Sequence, residues 1–179
     1  MILRDSILSC RFVFEKLDFD SAIRFVSAHD IIAEIFTGGF NMPEAKCITR
    51  TRVRYGETDK MGVAYHAHYL NWFEMGRSDF CRANGKSFAI WEAEGVLLPV
   101  VEAHCRYKSP LYYEDEILIE TVVTKLTKVS VTFSCKVLHA DTGRIAAEGY
   151  TKHAFTSPDG KLLRDGNPLY EWLKDFMSA

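Results

Sequence analysis

Between His66 and Ala83, apolar side chains fall on nearly every side of a helical cylinder: Tyr69, Leu70, Trp72, Phe73, Met75, Phe80 and Cys81. A helix of that kind cannot stand in water along its length and must be covered by other elements. Asn84-Gly85 supplies its stop. A short second helix is predicted over residues 87–94, with Ser87 as N-cap and Gly95 as terminator. Strands are then predicted over residues 97–108, 115–127, 129–137 and 144–156. The clearest is the third, where Val129, Val131, Phe133, Cys135 and Val137 alternate with Ser130, Thr132, Ser134 and Lys136. Ahead of the long helix, residues 47–55 alternate as well. Ile48, Arg50, Arg52 and Arg54 face one way, and Thr49, Thr51, Val53 and Tyr55 the other. Asn167-Pro168 opens a last helix, with Pro at its first position. Most strands are joined by short turns such as Asp141-Thr142-Gly143, which implies antiparallel neighbours. The expected fold is α+β, an antiparallel sheet wrapped around one long buried helix.

The chain of 179 residues is long enough for one domain with a real core. A net charge of −2 gives no electrostatic footprint for nucleic acid or an anionic membrane. No apolar run approaches the roughly 20 residues of a membrane span. Asp5, Arg11, Glu15 and Lys16 interrupt every apolar stretch near the N-terminus, so a signal peptide is not expected. Five cysteines without a CxxC pair are expected to be reduced core thiols, which places the chain in the cytoplasm.

Residues 1–41 read differently from the rest. Ile23, Val26, Ile31, Ile32 and Ile35 have helical spacing, but the stretch is too short to bury a core alone. Thr-Gly-Gly-Phe-Asn-Met at 37–42 can be encoded by a string that carries a purine-rich ribosome-binding sequence just before an ATG. For a bacterial source, one expectation is therefore that Met42 is the start and 1–41 a translated leader. The domains expected are an N-terminal extension over 1–41 and one catalytic domain over 42–179.

The chemistry-bearing stretch is YGETDKMGVAYHAHYLNWFE, residues 55–74. It sets Asp59 in a turn between a strand and the buried helix. A helix N-terminus offers unpaired N–H groups and a partial positive charge, able to hold a developing oxyanion. A carboxylate beside it can be general base or nucleophile. The plainer reading of Asp59 is a turn residue whose side chain caps Met61 or Gly62. His66 is read as a hydrogen-bonding neighbour of substrate or of Asp59, and His68 as structural. Two histidines at i, i+2 do not share a helix face, so no metal is expected. Glu74 is the runner-up carboxylate, its bland alternative being an ion pair with Arg77 at i+3. Tyr55 and Tyr65 bracket the loop, with packing as the simpler role and hydroxyl contacts as the functional one. Arg106, Lys108 and Lys128 could meet substrate phosphates or simply line a solvated strand edge. GxSxG, GxGxxG, GxxxxGK[ST] and HExxH motifs are absent, which argues against serine hydrolases, dinucleotide enzymes, P-loop NTPases and zincins.

At these residues the chain resembles the hotdog-fold acyl-CoA thioesterases, in particular the 4-hydroxybenzoyl-CoA thioesterase branch and its Tol–Pal-linked members. The resemblance rests on residues 54–69 with Glu74 and Arg77, and on the weaker stretch 107–115, from Tyr107 through Pro110 to Asp115. It implies thioester hydrolysis with Asp59 attacking the carbonyl or activating a water, and with N–H groups around Tyr65 to Ala67 holding the carbonyl oxygen. Tyr55 and His66 match supporting positions. Coenzyme A would be part of the substrate, with no retained cofactor, and two chains would pair edge to edge as a homodimer or homotetramer. Gly56-Glu57 departs from the family pattern and is expected to matter little. The alternatives are a hotdog-fold hydroxyacyl dehydratase, for which His66 and Glu74 could be offered, and a non-catalytic acyl-CoA-binding or interaction protein.

Overall fold

The computed structural model describes residues 46–177. The expectations for 1–41 and for a start at Met42 fall outside the described residues. Five strands form one antiparallel sheet: β1 (Lys46–Arg52), β2 (Val100–Tyr107), β3 (Glu116–Thr127), β4 (Ser130–His139) and β5 (Ile145–Ala154). Their order across the sheet is β1-β3-β4-β5-β2, so β1 and β2 are the two edges. The long helix α1 (His68–Ala83) and the short α2 (Phe88–Ala93) lie between β1 and β2 in the chain, and α3 (Pro168–Lys174) follows β5.

The alternation seen in the sequence selects the inner face. Ile117, Ile119, Thr121 and Val123 of β3 are buried, as are Val131, Phe133, Cys135 and Val137 of β4. The β3–β4 hairpin is closed by Lys128 and Val129 between the paired Thr127 and Ser130. Val129, expected to open the strand, is therefore spent in the turn.

Helix α1 lays Tyr69, Trp72, Phe73, Gly76, Arg77, Phe80 and Cys81 on the sheet, a stripe with the 3–4 spacing of a single helix face. The opposite side, with Leu70, Asn71 and Glu74, is exposed. The expectation of a helix covered all round holds on one flank only, because the sheet of one chain supplies a single layer. Gly76 permits the close approach. A Cβ there would stand 2.3 Å from Thr121 Oγ1 and 2.9 Å from Ile119 Cγ2. Each fully buried aromatic along this seam, Phe73 and Phe80 among them, contributes about 1.5–3 kcal/mol by leaving water.

The far end of the sheet is closed by α3, where Asn167 Oδ1 accepts from Leu169 N–H at 3.1 Å and Leu169 and Leu173 are buried. Among the described residues, no helix is long and apolar enough to cross a membrane.

Candidate active site

The segment from Tyr55 to His68 is built as a small hairpin laid across the start of α1. A single 3₁₀ turn, Tyr55–Glu57, leads into it. Tyr65 N–H donates to Glu57 C=O at 2.8 Å, Thr58 bridges Ala64, and Asp59 N–H donates to Val63 C=O at 2.9 Å. Gly62 N–H closes the tip on Asp59 C=O at 2.9 Å, with Gly62 at φ +78. A type I turn followed by a left-handed residue is the usual three-residue hairpin loop, and the left-handed position favours glycine. On its other side the hairpin is pinned by Ala64 N–H to Leu111 C=O at 2.8 Å, and by the bridge between Val63 and Tyr112.

Asp59 stands at the base of this tip and is half-buried. Its Oδ1 accepts from Met61 N–H at 2.8 Å, the turn-capping contact foreseen as its plainer role. Oδ2 has no hydrogen-bond partner among the described residues. One oxygen thus fixes the carboxylate while the other stays open.

The turn Tyr65–Ala67 enters α1 two residues later than expected, at His68. His68 N–H donates to Tyr65 C=O at 3.0 Å, and Leu70 N–H to Ala67 C=O at 3.2 Å. Tyr65 N–H is taken by Glu57, whereas the N–H groups of His66 and Ala67 carry no bond among the described residues. Tyr69 N–H in the first turn is likewise unbonded, so this helix start offers three peptide donors to an anion.

The His66 ring is exposed and stands 4.3 Å from the Tyr65 ring and 6.4 Å from the Tyr107 ring, centroid to centroid. Tyr107 O–H donates to His66 C=O at 3.0 Å. Tyr69 lies beneath, 5.1 Å from Tyr107 and 4.7 Å from Trp72, and burial pushes its hydroxyl up to about 12. Tyr55 is 78% exposed and touches Tyr113 edge-on at 5.7 Å, so it lies at the outer rim.

Glu74 is exposed and accepts from Ser78 Oγ at 2.7 Å. It makes no ion pair with Arg77, because position 77 falls on the buried stripe and turns inward while Ser78 stays outside. Arg77 Nη1 instead meets His153 Nε2 at 2.6 Å, with Nε left unpaired. Burial holds the Arg77 guanidinium below its usual range, and burial plus Arg77 press His153 down to about 4. His153 is therefore a neutral acceptor in the core. Lys108 pairs with Glu148 at 2.7 Å and Lys128 faces Asp165 at 3.7 Å.

Glu57, half of the Gly56-Glu57 departure expected to matter little, turns out to be a tie. Its Oε1 accepts from Trp72 Nε1 at 3.2 Å and its Oε2 from Arg54 N–H at 2.8 Å, so one side chain ties the 3₁₀ turn to α1. The acid three residues after Arg54 is a capping-box signal that could have exposed the second contact. Among the described residues, no three His, Cys, Asp or Glu side chains come together as a metal-ligand set.

A model of the thioesterase-like superfamily matches residues 53–175. A protein of Aquifex aeolicus (strain VF5) is 32% identical over 128 residues, which span 72% of this chain and 98% of the relative. The acyl-CoA thioester hydrolase YbgC of Escherichia coli O157:H7 is 31% identical over 90 residues, 50% of this chain and 67% of that one. Among solved structures, the DHNA-CoA thioesterase from Staphylococcus aureus superposes with a TM-score of 0.68 at 29% identity, covering 74% of this chain and 89% of its own.

Proposed function

The chain belongs to the thioesterase-like superfamily and is a hydrolase of the acyl-CoA thioester class, and from that premise we propose that Asp59 carries the reaction and the His66–Ala67 turn holds the carbonyl oxygen. The single observation behind this is the division of labour within one carboxylate. Met61 N–H fixes Oδ1 and leaves Oδ2 unbonded, and the turn that follows the hairpin into α1 carries unbonded N–H groups at His66, Ala67 and Tyr69.

In the base route, Oδ2 takes a proton from water as the water oxygen adds to the thioester carbon. The carbonyl electron pair moves onto oxygen, where the N–H groups of His66 and Ala67 receive it. Collapse expels the thiolate of coenzyme A, which takes the proton and leaves the free acid. In the nucleophile route Oδ2 itself adds and the thiolate leaves. Water then hydrolyses the resulting anhydride. Preorganised donors of this sort are worth about 2.7–4 kcal/mol of barrier each.

Coenzyme A acts here as part of the substrate. Four free cysteines among the described residues, Cys47, Cys81, Cys105 and Cys135, fit a reducing cytoplasm. The working unit in this reading is a homodimer or homotetramer. The edge strand β2 leaves Val100 and Val101 more than half exposed beside an unpaired backbone edge, which a second copy would cover.

The test is Asp59→Asn, read as thiol release from a panel of short, long and aromatic acyl-CoA esters. Asn keeps the acceptor for Met61 N–H, so the fold is retained. Turnover should drop by about 10²–10⁴-fold. Full turnover in the variant would refute the role of Asp59. A single turnover in ¹⁸O-water that labels Asp59 itself would select the nucleophile route.

A further inference from the structure

We infer that Tyr107 is a positioning residue for the oxyanion site: its hydroxyl sets the plane of the His66–Ala67 peptide, and so aims the Ala67 N–H. The inference rests on the thioester reading above.

In a regular helix the His66 carbonyl would accept from Leu70 N–H, four residues on. Here Leu70 N–H goes to Ala67 C=O at 3.2 Å, a tighter first turn that leaves the His66 carbonyl outside the ladder. Tyr107, at the end of β2 and distant in sequence, donates to that carbonyl at 3.0 Å.

The His66 C=O and the Ala67 N–H belong to one peptide unit. That unit is planar and trans, so its two polar groups point in opposite directions. A bond that fixes the oxygen therefore fixes where the N–H points. It also polarises the unit and strengthens the N–H as a donor.

The hydroxyl is itself held in place. The Tyr107 ring packs between Tyr69 and His66, at 5.1 and 6.4 Å. The chain just beyond is anchored by Lys108 and Ser109 N–H groups on Ala146 C=O, at 2.8 and 3.2 Å. Without the hydroxyl, Leu70 N–H is free to recover its helical partner, and the peptide would turn its N–H away.

Tyr107→Phe removes the O–H and keeps the ring. On the acyl-CoA ester that the unaltered protein turns over fastest, kcat should fall about 10- to 100-fold, part of what losing one oxyanion donor costs. KM and Tm should stay where they were. A second readout uses Asp59→Asn, in which a bound thioester persists. Its carbonyl stretch, shifted to lower frequency by the donors, should return toward the solution value when Tyr107→Phe is added. Unchanged kcat, or an unmoved carbonyl band, would overturn the role of Tyr107 and leave the thioesterase reading standing. A rise in KM with a drop in Tm, at constant kcat, would make the hydroxyl a mere strut and also overturn it. An unaltered protein that releases no thiol from any ester would overturn the thioesterase reading, and this inference with it.

Discussion

Acid should weaken this fold through one ring, His153. The side chain is fully covered, with Nδ1 on Leu98 C=O at 3.0 Å and Nε2 on Arg77 Nη1 at 2.6 Å and Thr151 Oγ1 at 2.9 Å. Burial first, and the Arg77 charge second, press its folded pKa from 6.5 to about 4. In the unfolded chain the ring takes a proton near 6.5. Between those two values the unfolded state holds the extra proton, so stability falls as pH falls. At about 1.36 kcal/mol per pH unit, the gap between 6.5 and about 4 amounts to a loss of about 3 kcal/mol, complete near pH 4 and absent above about pH 7. That is a sizeable share of the roughly 5–15 kcal/mol that holds a domain together. The comparison variant is His153→Gln, whose amide can accept from Arg77 and donate to Leu98 but does not titrate. Urea unfolding from pH 7.5 to 4, at one protein concentration, gives the curves. The unaltered protein should lose about 3 kcal/mol more than the variant over that interval. Parallel curves would refute the reasoning, whatever their absolute heights.

Two further outcomes are expected. Gly149→Ala would place a Cβ 2.0 Å from the His104 carbonyl and 2.8 Å from Phe73 Cε2, so main chain of the edge strand must move. A loss near the upper end of overpacking, about 3 kcal/mol, should appear in urea unfolding, and a loss below about 1 kcal/mol would contradict the close approach. Glu57→Gln leaves one good acceptor for two donors, Trp72 Nε1 and Arg54 N–H. It should cost about 1.5 kcal/mol in stability and lower kcat as the Asp59 hairpin loosens, and unchanged unfolding and turnover would remove Glu57 from the account.

The parts legible in the sequence were those set by neighbours along the chain. The period-2 run through Val131, Phe133, Cys135 and Val137 named the buried face of β4 outright, because a strand alternates by geometry. The Asp59 turn announced itself through Gly62, and the helix through its apolar content and its Asn84-Gly85 stop, although the single buried face did not. Less legible were the contacts that join distant positions: Glu57 to Trp72 across 15 residues, Tyr107 to His66 across 41, Arg77 to His153 across 76. No local pattern encodes these. The helix start was misplaced for the same reason, since Ala67 carries no capping side chain and the His66 carbonyl is claimed from β2. The Glu74–Arg77 pair failed although i+3 spacing makes the two neighbours, because Arg77 lies at the edge of the buried stripe and turns inward to His153 while Glu74 stays outside on Ser78.

The hairpin around Asp59 closes upon itself before it meets anything else. Its rungs run from Glu57–Tyr65 through Thr58–Ala64 to Asp59–Val63, and its tip is sealed by Gly62. Such a segment behaves as a cassette. Exchanged whole, residues 57–65 bring their own rungs with them, and the host supplies the Arg54–Tyr55 backbone, a strand partner at 111–112 and an indole at 72. Replacing that unit therefore leaves the pairing of the sheet and the seat of the long helix as they are, with the hairpin as an insert on an existing chassis.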